Sequence, residues 1–278
     1  MCAAKCTWGL KPRALKNMYL SVIESTILYA VPVWIAALNK KYIVRMLSSV
    51  QRLSLILITK SFSTAQTDVL TALAGVLPID LRAKELTIMR YAKKGRPEYW
   101  PEFSKPGIPI SSRTKSHSVY TDEIIKKILD VQSDDSSPSF PLDRRKLKIA
   151  LYENWYQGFT NRVSSWPIQF FPSKDHLIAA SKMNITHQQT QIMTGHCRLN
   201  YFLSKIGKAR SGECICGESE TCSHFLFTCP VYFLQRFGME LELHSLGINF
   251  PFCPGSVISD KVLRKCLNRF LYSTRRLV

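Results

Sequence analysis

The sequence predicts a mainly α-helical protein that carries a small metal-binding module near its C-terminus. Over most of the 278 residues, apolar side chains recur at the three- and four-residue spacing of a helix that packs on one face. Two stretches rich in proline, glycine and serine interrupt this spacing. The module is indicated by cysteine and histidine residues that cluster between positions 214 and 229.

The first helical region follows Gly9. Pro12 suits the first turn of a helix, and we expect a bend at Pro32, because proline interrupts the hydrogen bonding of a helix interior. The expected buried stripe comprises Leu15, Met18, Tyr19, Val22, Ile23, Ala30 and Trp34.

A second, strongly amphipathic helix is expected near residues 40–60. Its predicted buried stripe is Ile43, Leu47, Val50, Leu53 and Leu57. Five cations lie mostly on its other faces, namely Lys40, Lys41, Arg45, Arg52 and Lys60. The pattern predicts a helix that packs with one side and presents a cationic surface with the other.

Breakers and caps define the remaining segments. Ser63 or Thr64 could cap a short helix that ends at Gly75, and another helix should run from residues 77–79 to about Ala92. The predicted domains are a helical bundle over 1–96, a linker over 97–141 with a short helix at Thr121–Val131, a second helical segment over 142–212, the metal module over 213–235 and a basic, partly helical tail over 236–278. Helices within 142–212 are expected at Asp143–Phe159, Ser173–Met183 and His187–Ile206, the last interrupted only by Gly195.

The charge is strongly positive. The formal net charge is +18, and residues 1–96 alone carry 15 basic and 4 acidic side chains. Such a surface favours nucleic acid, because each cation set against a phosphate releases a condensed counterion. Charge alone leaves open a surface that only confers solubility or attracts anionic lipid.

Membrane and secretory features are weak. We find no uncharged stretch of about 18 apolar residues, and residues 1–6 lack the apolar core of a signal peptide. We therefore expect an intracellular protein, nuclear or cytoplasmic, that does not engage a membrane. Nine cysteines in such a chain favour reduced thiols and metal ligation over a disulfide framework.

The candidate ligands are Cys214, Cys216, His224 and Cys229, in the order C-x-C-x7-H-x4-C. Three thiolates and one imidazole form a closed tetrahedral set for structural Zn²⁺ and leave no position for a catalytic water. Gly217 suits the turn that the first pair needs. His224 and Cys229 are about one and a half helical turns apart, so a helix that offers both must be distorted.

Several other residues have competing interpretations. Cys222 is a fifth candidate ligand, ranked below Cys216 on spacing, and unliganded thiols are the alternative to the whole site. His196, beside Cys197, fits a packing or capping role better than a ligand. Asp134 and Asp135 lie among serine and proline, which favours a solvated loop. Four aromatic residues could stack on bases but fit a helical core better, namely Trp155, Trp166, Phe170 and Phe171.

Short motifs follow one another in a specific order. They are Trp8-Gly9-Leu10, Tyr29-Ala30 through Val33-Trp34, Gln51-Arg52, Ala74-Gly75-Val76-Leu77-Pro78-Ile79-Asp80-Leu81, Thr194-Gly195-His196, and the cysteine-histidine cluster followed by Pro230. This order resembles the C-terminal part of reverse transcriptases from non-LTR (LINE-type) retrotransposons, in particular ribosomal-insertion, telomere-targeted and Jockey-like elements. The resemblance covers most of the chain.

The resemblance implies roles for both ends of the chain. Residues 10–95 would form thumb and post-thumb helices, a thumb-like bundle that grips RNA or a primer-template duplex, and residues 214–229 would be the terminal CCHC zinc motif. The family's polymerase requires a Tyr/Phe-Ala-Asp-Asp turn in its palm, and the sequence lacks that turn. The palm would then lie upstream of Met1, so we expect a catalytically silent fragment that works with an upstream polymerase portion.

Two alternatives stay open. One is a zinc-stabilised protein-interaction module in which charge serves solubility. The other is a residual ribonuclease H-type nuclease. In some relatives a ribonuclease H domain begins with a strand like Tyr-Thr-Asp-Gly-Ser. Here Tyr120-Thr121-Asp122 is followed by Glu123-Ile124, which argues against that activity.

Overall fold

The structure is a computed structural model that describes residues 9–93 and 144–277. Within these ranges the chain is mainly helical and contains no extended strand, and an isolated β-bridge joins Glu213 to Ser219. The predicted fold class is therefore confirmed. The linker over 97–141, with its short helix, its Tyr120-Thr121-Asp122 motif and its aspartate pair, lies outside the described residues.

The helices are introduced in chain order. They are α1 Pro12–Met18, α2 Ser25–Ile27, α3 Val31–Trp34, α4 Lys41–Thr59, α5 Thr67–Ala74, α6 Ile79–Lys93, α7 Arg144–Arg162, α8 Ser165–Ile168, α9 Lys174–Ala180, α10 His187–Thr194, α11 Asn200–Lys205, α12 Phe233–Ser245, α13 Ser256–Ser259 and α14 Lys261–Ser273. A π-helical turn joins α1 to α2 over Tyr19–Glu24, and a 3-10 turn follows α3 over Ile35–Asn39.

The described residues form two compact units. Unit 1 contains 9–16, 54–76 and 162–277, and unit 2 contains 17–53, 77–93 and 144–161. These units group residues by contacts in space, whereas the predicted domains follow composition along the chain. The predicted domain boundaries stay a prediction.

The predicted bend occurs just before Pro32. The chain turns by 51° between Pro12–Ile27 and Val31–Asn39. Ala30 takes up the change with a left-handed backbone, φ +50°. Pro32 itself lies in the first turn of α3, where its missing N–H would have no helical partner in any case.

The first predicted stripe is only partly buried. Leu15 and Tyr19 are buried, as expected. Met18, Val22 and Ile23 are exposed, which contradicts the prediction. The π-helical turn over Tyr19–Glu24 shifts the register of the side chains, so a stripe drawn at α-helical spacing no longer stays on one face.

The predicted face of α4 is only partly right. Ile43 and Leu47 are partly buried against the core, as expected. Val50 and Leu53 are 41% and 68% exposed, whereas Gln51 and Ser54 are buried. Apolar periodicity alone would not place a glutamine on the buried face of a helix. The hydrogen bonds of Gln51 explain why this face of α4 is buried.

Gln51 connects three parts of unit 2. Its Nε2 donates to the hydroxyl of Tyr19 at 3.0 Å and to the carbonyl of Leu77 at 2.9 Å, and its Oε1 accepts from the backbone N–H of Ile79 at 3.1 Å. Ile79 is the first residue of α6, whose N–H has no partner within its own helix. The glutamine thus satisfies a helix end that would otherwise be buried without a hydrogen bond.

The core of unit 2 lies beside this glutamine. A cluster of buried side chains joins α3 and its following turn to α6 and comprises Leu28, Val31, Ile35, Leu38, Ile79 and Ala83. Arg82 also holds two buried carboxylates, with Nε 3.0 Å from Glu24 Oε1 and a contact to Glu85. The unit therefore buries both apolar surface and paired charge.

Unit 1 depends on two glycines in left-handed conformation. Gly75 ends α5 at φ +59°, as predicted, and a Cβ there would lie 2.2 Å from Ser181 Cα. Gly195 at φ +72° ends α10 at Thr194, so the helix expected through Ile206 is instead two helices. The expected cap of α5 at Ser63 or Thr64 is also wrong, because α5 begins later, after Gln66.

Two features of unit 1 hold α10 and the end of the chain. Thr186 and Gln189 form a reciprocal capping box at the start of α10. From α10, Gln191 Nε2 donates to the carbonyl of Leu277 at 3.0 Å, and the Leu277 side chain is fully buried. The C-terminal residues are therefore part of the packed unit.

One described helix, Lys41–Thr59, is long and apolar enough by composition to cross a membrane, and the bent pair Pro12–Ile27 with Val31–Asn39 would pass as a broken span. Helices of soluble proteins meet the same criterion, so one or two such helices are weak support for a membrane role.

The role of Gln51 can be tested by Gln51→Met, which keeps the volume and removes the hydrogen bonds. We expect a loss of about 2–3 kcal/mol in the free energy of unfolding, because the Leu77 carbonyl and the Ile79 N–H are left buried without partners. Urea unfolding followed by circular dichroism measures it. Leu53→Ala is the control and should change the value by less than about 0.5 kcal/mol. Equal losses of unfolding free energy in the two variants would instead favour the buried stripe that the sequence predicted for α4, which includes Leu53.

Candidate metal centre

Four potential ligands converge in unit 1. One donor atom from each of Cys214, Cys216, His224 and Cys229 lies within 4.8 Å of the others. Cys214 Sγ is 3.5 Å from Cys229 Sγ, and Cys216 Sγ is 3.2 Å from His224 Nε2. A tetrahedron with bonds of about 2.3 Å to sulfur has sulfur–sulfur edges of about 3.8 Å. The four residues that the sequence singled out could therefore hold one metal ion.

A tight turn brings the first two cysteines to the same side. The N–H of Gly217 donates to the carbonyl of Cys214 at 2.9 Å, and the N–H of Cys214 donates to the carbonyl of Glu218 at 2.7 Å. Gly217 has φ +91°, a conformation that L-residues with a side chain rarely adopt. The backbone reverses at this glycine, as the sequence predicted.

A wide helical turn supplies the other two ligands. Residues His224–Thr228 form a π-helical turn, and the N–H of Cys229 donates to the carbonyl of His224 at 2.8 Å. This i→i+5 bond closes a wider ring than an α-helix does, so a residue five positions later lies closer to the same face. The distortion that the sequence required is therefore a π turn.

The His224 ring is oriented by two neighbours that sequence reasoning missed. Its Nδ1 lies 2.8 Å from a carboxylate oxygen of Glu218 and 3.2 Å from the hydroxyl of Thr228. A proton on Nδ1 that is donated to Glu218 leaves the lone pair of Nε2 directed at the cysteines. Both residues lie inside the motif, but spacing alone does not reveal which atoms they contact.

Cys222 lies outside the four-atom set. Its sulfur is 3.6 Å from the sulfur of Cys197, and both side chains are buried. The fifth candidate is thus engaged with another thiol. His196, the neighbour of Cys197, has Nδ1 3.0 Å from the Thr64 hydroxyl and packs against Phe202.

A buried guanidinium contacts the backbone of Cys229. Arg236 is 4% exposed, and its Nη2 donates to the backbone carbonyl of Cys229. Burial raises the pKa of Cys229 to about 12, and the hydrogen bond with Cys214 adds to the rise. A bound cation would therefore be needed to hold this thiol as a thiolate at neutral pH.

The base of the loop is fixed by Glu220. Its carboxylate accepts from Arg276 at 2.9 and 2.7 Å and from the backbone N–H of Asn200 at 2.6 Å. The backbone N–H of Glu220 donates to the carbonyl of Gly212 at 2.8 Å. Because the Glu220 side chain is buried, this paired, bidentate contact holds the ligand loop to the end of the chain.

The other predicted functional residues lie elsewhere. Lys40, Lys41 and Arg45 are exposed at the start of α4, whereas Arg52 and Lys60 are half-buried. Among the aromatic residues, Trp155, Phe170 and Phe171 are buried and Trp166 is half-buried. The fully buried rings belong to the core, so they cannot stack on bases.

Comparison with curated proteins finds similarity to insect retrotransposon proteins. The chain is 26% identical over 230 residues to a "Retrovirus-related Pol polyprotein from type-1 retrotransposable element R1 4" of Nasonia vitripennis, which covers 82% of this chain and 52% of that protein. It is 24% identical over 251 residues to a "Putative 115 kDa protein in type-1 retrotransposable element R1DM" of Drosophila melanogaster, which covers 89% and 22%. It is 25% identical over 227 residues to an R1 Pol polyprotein of Bradysia coprophila, which covers 81% and 20%.

The chain therefore spans about half or less of the length of these relatives. No protein-family model matches the chain, and no solved structure matches it. The similarity to R1 polyproteins over most of the chain supports a retrotransposon origin.

The ligand set can be tested by Cys216→Ser and Cys222→Ser. We expect the purified chain to bind one equivalent of Co²⁺ with thiolate charge-transfer absorption, and Cys216→Ser to weaken this binding by at least about tenfold, because a ligand is lost. Cys222→Ser, the matched control, should bind as the unaltered chain does. If Cys222→Ser weakened Co²⁺ binding and Cys216→Ser did not, Cys222 would be the ligand and Cys216 would not.

Proposed function

We propose that this chain is a nucleic-acid-binding part of a retrotransposon RNA-directed DNA polymerase. Its basic helices contact the phosphates of RNA or of a primer-template duplex, as the thumb-like bundle that the sequence suggests would do. The exposed cations Lys40, Lys41 and Arg45 at the start of α4, in a chain of net charge +18, carry the proposal. The similarity to R1 polyproteins supports it.

The metal in this proposal is zinc in a structural role. Three soft thiolates and an imidazole suit Zn²⁺, and a set of four protein ligands has no open position for water. Three thiolates around a divalent cation leave one negative charge, which the buried guanidinium of Arg236 would offset. Zinc would hold the loop in place and take no part in catalysis.

The polymerase reaction itself would be catalysed by another polypeptide region. The matched relatives extend well beyond the segment that this chain matches. We place the polymerase palm in such a region, joined to this chain or supplied as a partner. The role of the residues described here is to bind and orient the nucleic acid.

A second candidate function is a zinc-stabilised protein-interaction module. It is favoured by the outer face of α12, where large apolar side chains are exposed at i, i+3 and i+7. They are Leu234, Phe237 and Leu241, at 77%, 46% and 57%. Contiguous apolar surface of this kind commonly marks a protein contact.

The proposed function is tested by titrating the zinc-loaded chain against a labelled primer-template duplex at 50 and 200 mM salt. We expect a steep loss of affinity with salt, since each neutralised phosphate contributes about 0.9 to the slope of log K against log salt. The variant Lys40→Gln/Lys41→Gln/Arg45→Gln should bind more weakly and with a slope lower by up to about 3.

The matched control removes the same charge elsewhere, by Arg144→Gln/Lys146→Gln/Lys182→Gln, all exposed positions. It should retain most of the binding. No binding by the unaltered chain at low salt would end the proposal. Equal losses in both triple variants would mean that charge acts only globally. If Leu234→Ser/Leu241→Ser abolished self-association or partner binding without affecting the duplex titration, the second candidate would gain support.

A further inference from the structure

Two buried thiols lie side by side next to the ligand loop and outside the metal set. The sulfur of Cys197, which follows α10, is 3.6 Å from the sulfur of Cys222, which precedes the π turn. The two residues are 25 positions apart, so folding brings them together. Buried cysteines often serve only as small apolar side chains. The meaning of this pair therefore depends on whether the structure holds the sulfurs together and lets a reagent reach them.

The segments that carry the two thiols are attached to each other beside the sulfurs. Asn200 lies shortly after Cys197, and its backbone N–H donates to a carboxylate oxygen of Glu220 at 2.6 Å. Glu220 in turn lies shortly before Cys222. Because this bond joins the two segments, the sulfurs stay near each other, and a reaction between them needs no rare encounter.

The pair lies close to the protein surface. Cys197 and Cys222 are 2% and 6% exposed. Each of them is followed in the sequence by an exposed residue, Arg198 and Ser223 respectively. The backbone that carries each sulfur therefore borders solvent. A small local opening of this edge is enough to admit a molecule of the size of a hydroperoxide.

The other described cysteines lack this arrangement once a metal is bound. The three candidate ligand cysteines would be held by the ion. Cys253 is exposed, and the sulfur of Cys266 lies 3.7 Å from Arg269 Nη2. Among the residues that the structure describes, Cys197 and Cys222 are thus the pair whose sulfurs are in contact outside the ligand set.

We infer that Cys197 and Cys222 form an oxidation site that reacts with hydroperoxides and closes to an intrachain disulfide. The inference goes beyond the proposed function and does not depend on nucleic-acid binding. One sulfur attacks the peroxide, the O–O bond breaks, and a sulfenic acid forms while water or an alcohol leaves with the thiol proton. The second sulfur attacks the sulfenic sulfur, the S–S bond forms, and water leaves with the second thiol proton. The two thiols lose two electrons, and the peroxide gains them.

The new bond would hold the ligand loop without a metal. It closes the chain between Cys197 and Cys222, a segment that contains α11 and the first two ligands, and His224 and Cys229 follow directly after it. Such a closure stabilises the folded state mainly because it restricts the unfolded chain. A chain that loses its metal under oxidising conditions would keep the loop attached to the end of α10. In a reducing compartment the bond would be transient, as redox-sensing disulfides are.

The linkage is tested by treating the full chain, with and without zinc, with hydrogen peroxide and by mapping the disulfides. Trypsin followed by mass spectrometry under non-reducing conditions suits the sequence, because Cys197 is the single cysteine of the tryptic peptide 183–198 and Cys222 lies in 211–236. We expect Cys197 to be joined to Cys222 at least about tenfold more often than to any other cysteine, because a disulfide requires neighbouring sulfurs. Fragmentation of the joined peptides identifies the cysteine, and dithiothreitol should separate them.

Two variants and a melting experiment complete the test. Cys222→Ser should leave Cys197 unlinked, whereas Cys266→Ser, the matched change at another buried cysteine, should leave the linkage intact. The chain is then oxidised in its zinc-loaded state and stripped of metal with a chelator. It should melt about 5 °C higher than the reduced, metal-free chain, because the closed segment restricts unfolding. Oxidised Cys222→Ser should show no such rise.

The inference is overturned if Cys197 stays unlinked while peroxide oxidises other thiols, or if it links to other cysteines as often as to Cys222. A linked chain that melts no higher than the reduced one would also overturn it, because the bond would then hold nothing in place. If the chain binds no zinc, the metal centre fails and this inference is still tested. The metal-free chain should form the same bond, together with one between Cys214 and Cys229, whose sulfurs are 3.5 Å apart.

Discussion

The geometry of the C-terminal module depends on four donor atoms that must meet at one point. The loop between residues 212 and 229 has little apolar surface, and Phe225 and Leu226 are its fully buried apolar members apart from cysteine. Hydrophobic burial alone therefore cannot hold its shape. Gly217, the π turn, the Glu218–His224 contact and the Glu220–Arg276 pair all serve the same convergence. A shared ion would account for the close approach of the Cys214 and Cys229 sulfurs and of Cys216 to His224.

The sequence predicted the parts of the structure that depend on spacing and on special backbone conformations. The cysteine-histidine pattern located the four donors, and Gly75 and Gly217 marked the turns at which the chain reverses. Helices α4, α6 and α7 lie where apolar periodicity placed them, with ends shifted by a few residues. Such features are local, because a few neighbouring residues decide them.

Several features that the sequence did not reveal depend on polar contacts and not on apolar spacing. No periodicity identifies Gln51 as buried, because its partners lie 26 to 32 residues away and become visible only when helices pack. Glu220 likewise pairs with Arg276, 56 residues away, whereas Glu218 is near His224 in sequence but contacts it through a side-chain geometry that spacing does not reveal. In each case a polar side chain is held by hydrogen bonds, and a pattern of apolar residues contains no information about such bonds.

The brace between Glu220 and Arg276 has a consequence for biosynthesis. The two residues are 56 positions apart in the sequence. A ribosome synthesises the loop before the arginine, so Glu220 has no guanidinium partner until residue 276 has been added. Completion of the module is therefore expected only after residue 276 has emerged, and a stop codon between residues 229 and 276 would remove the partner of Glu220 while it leaves all four ligands in place.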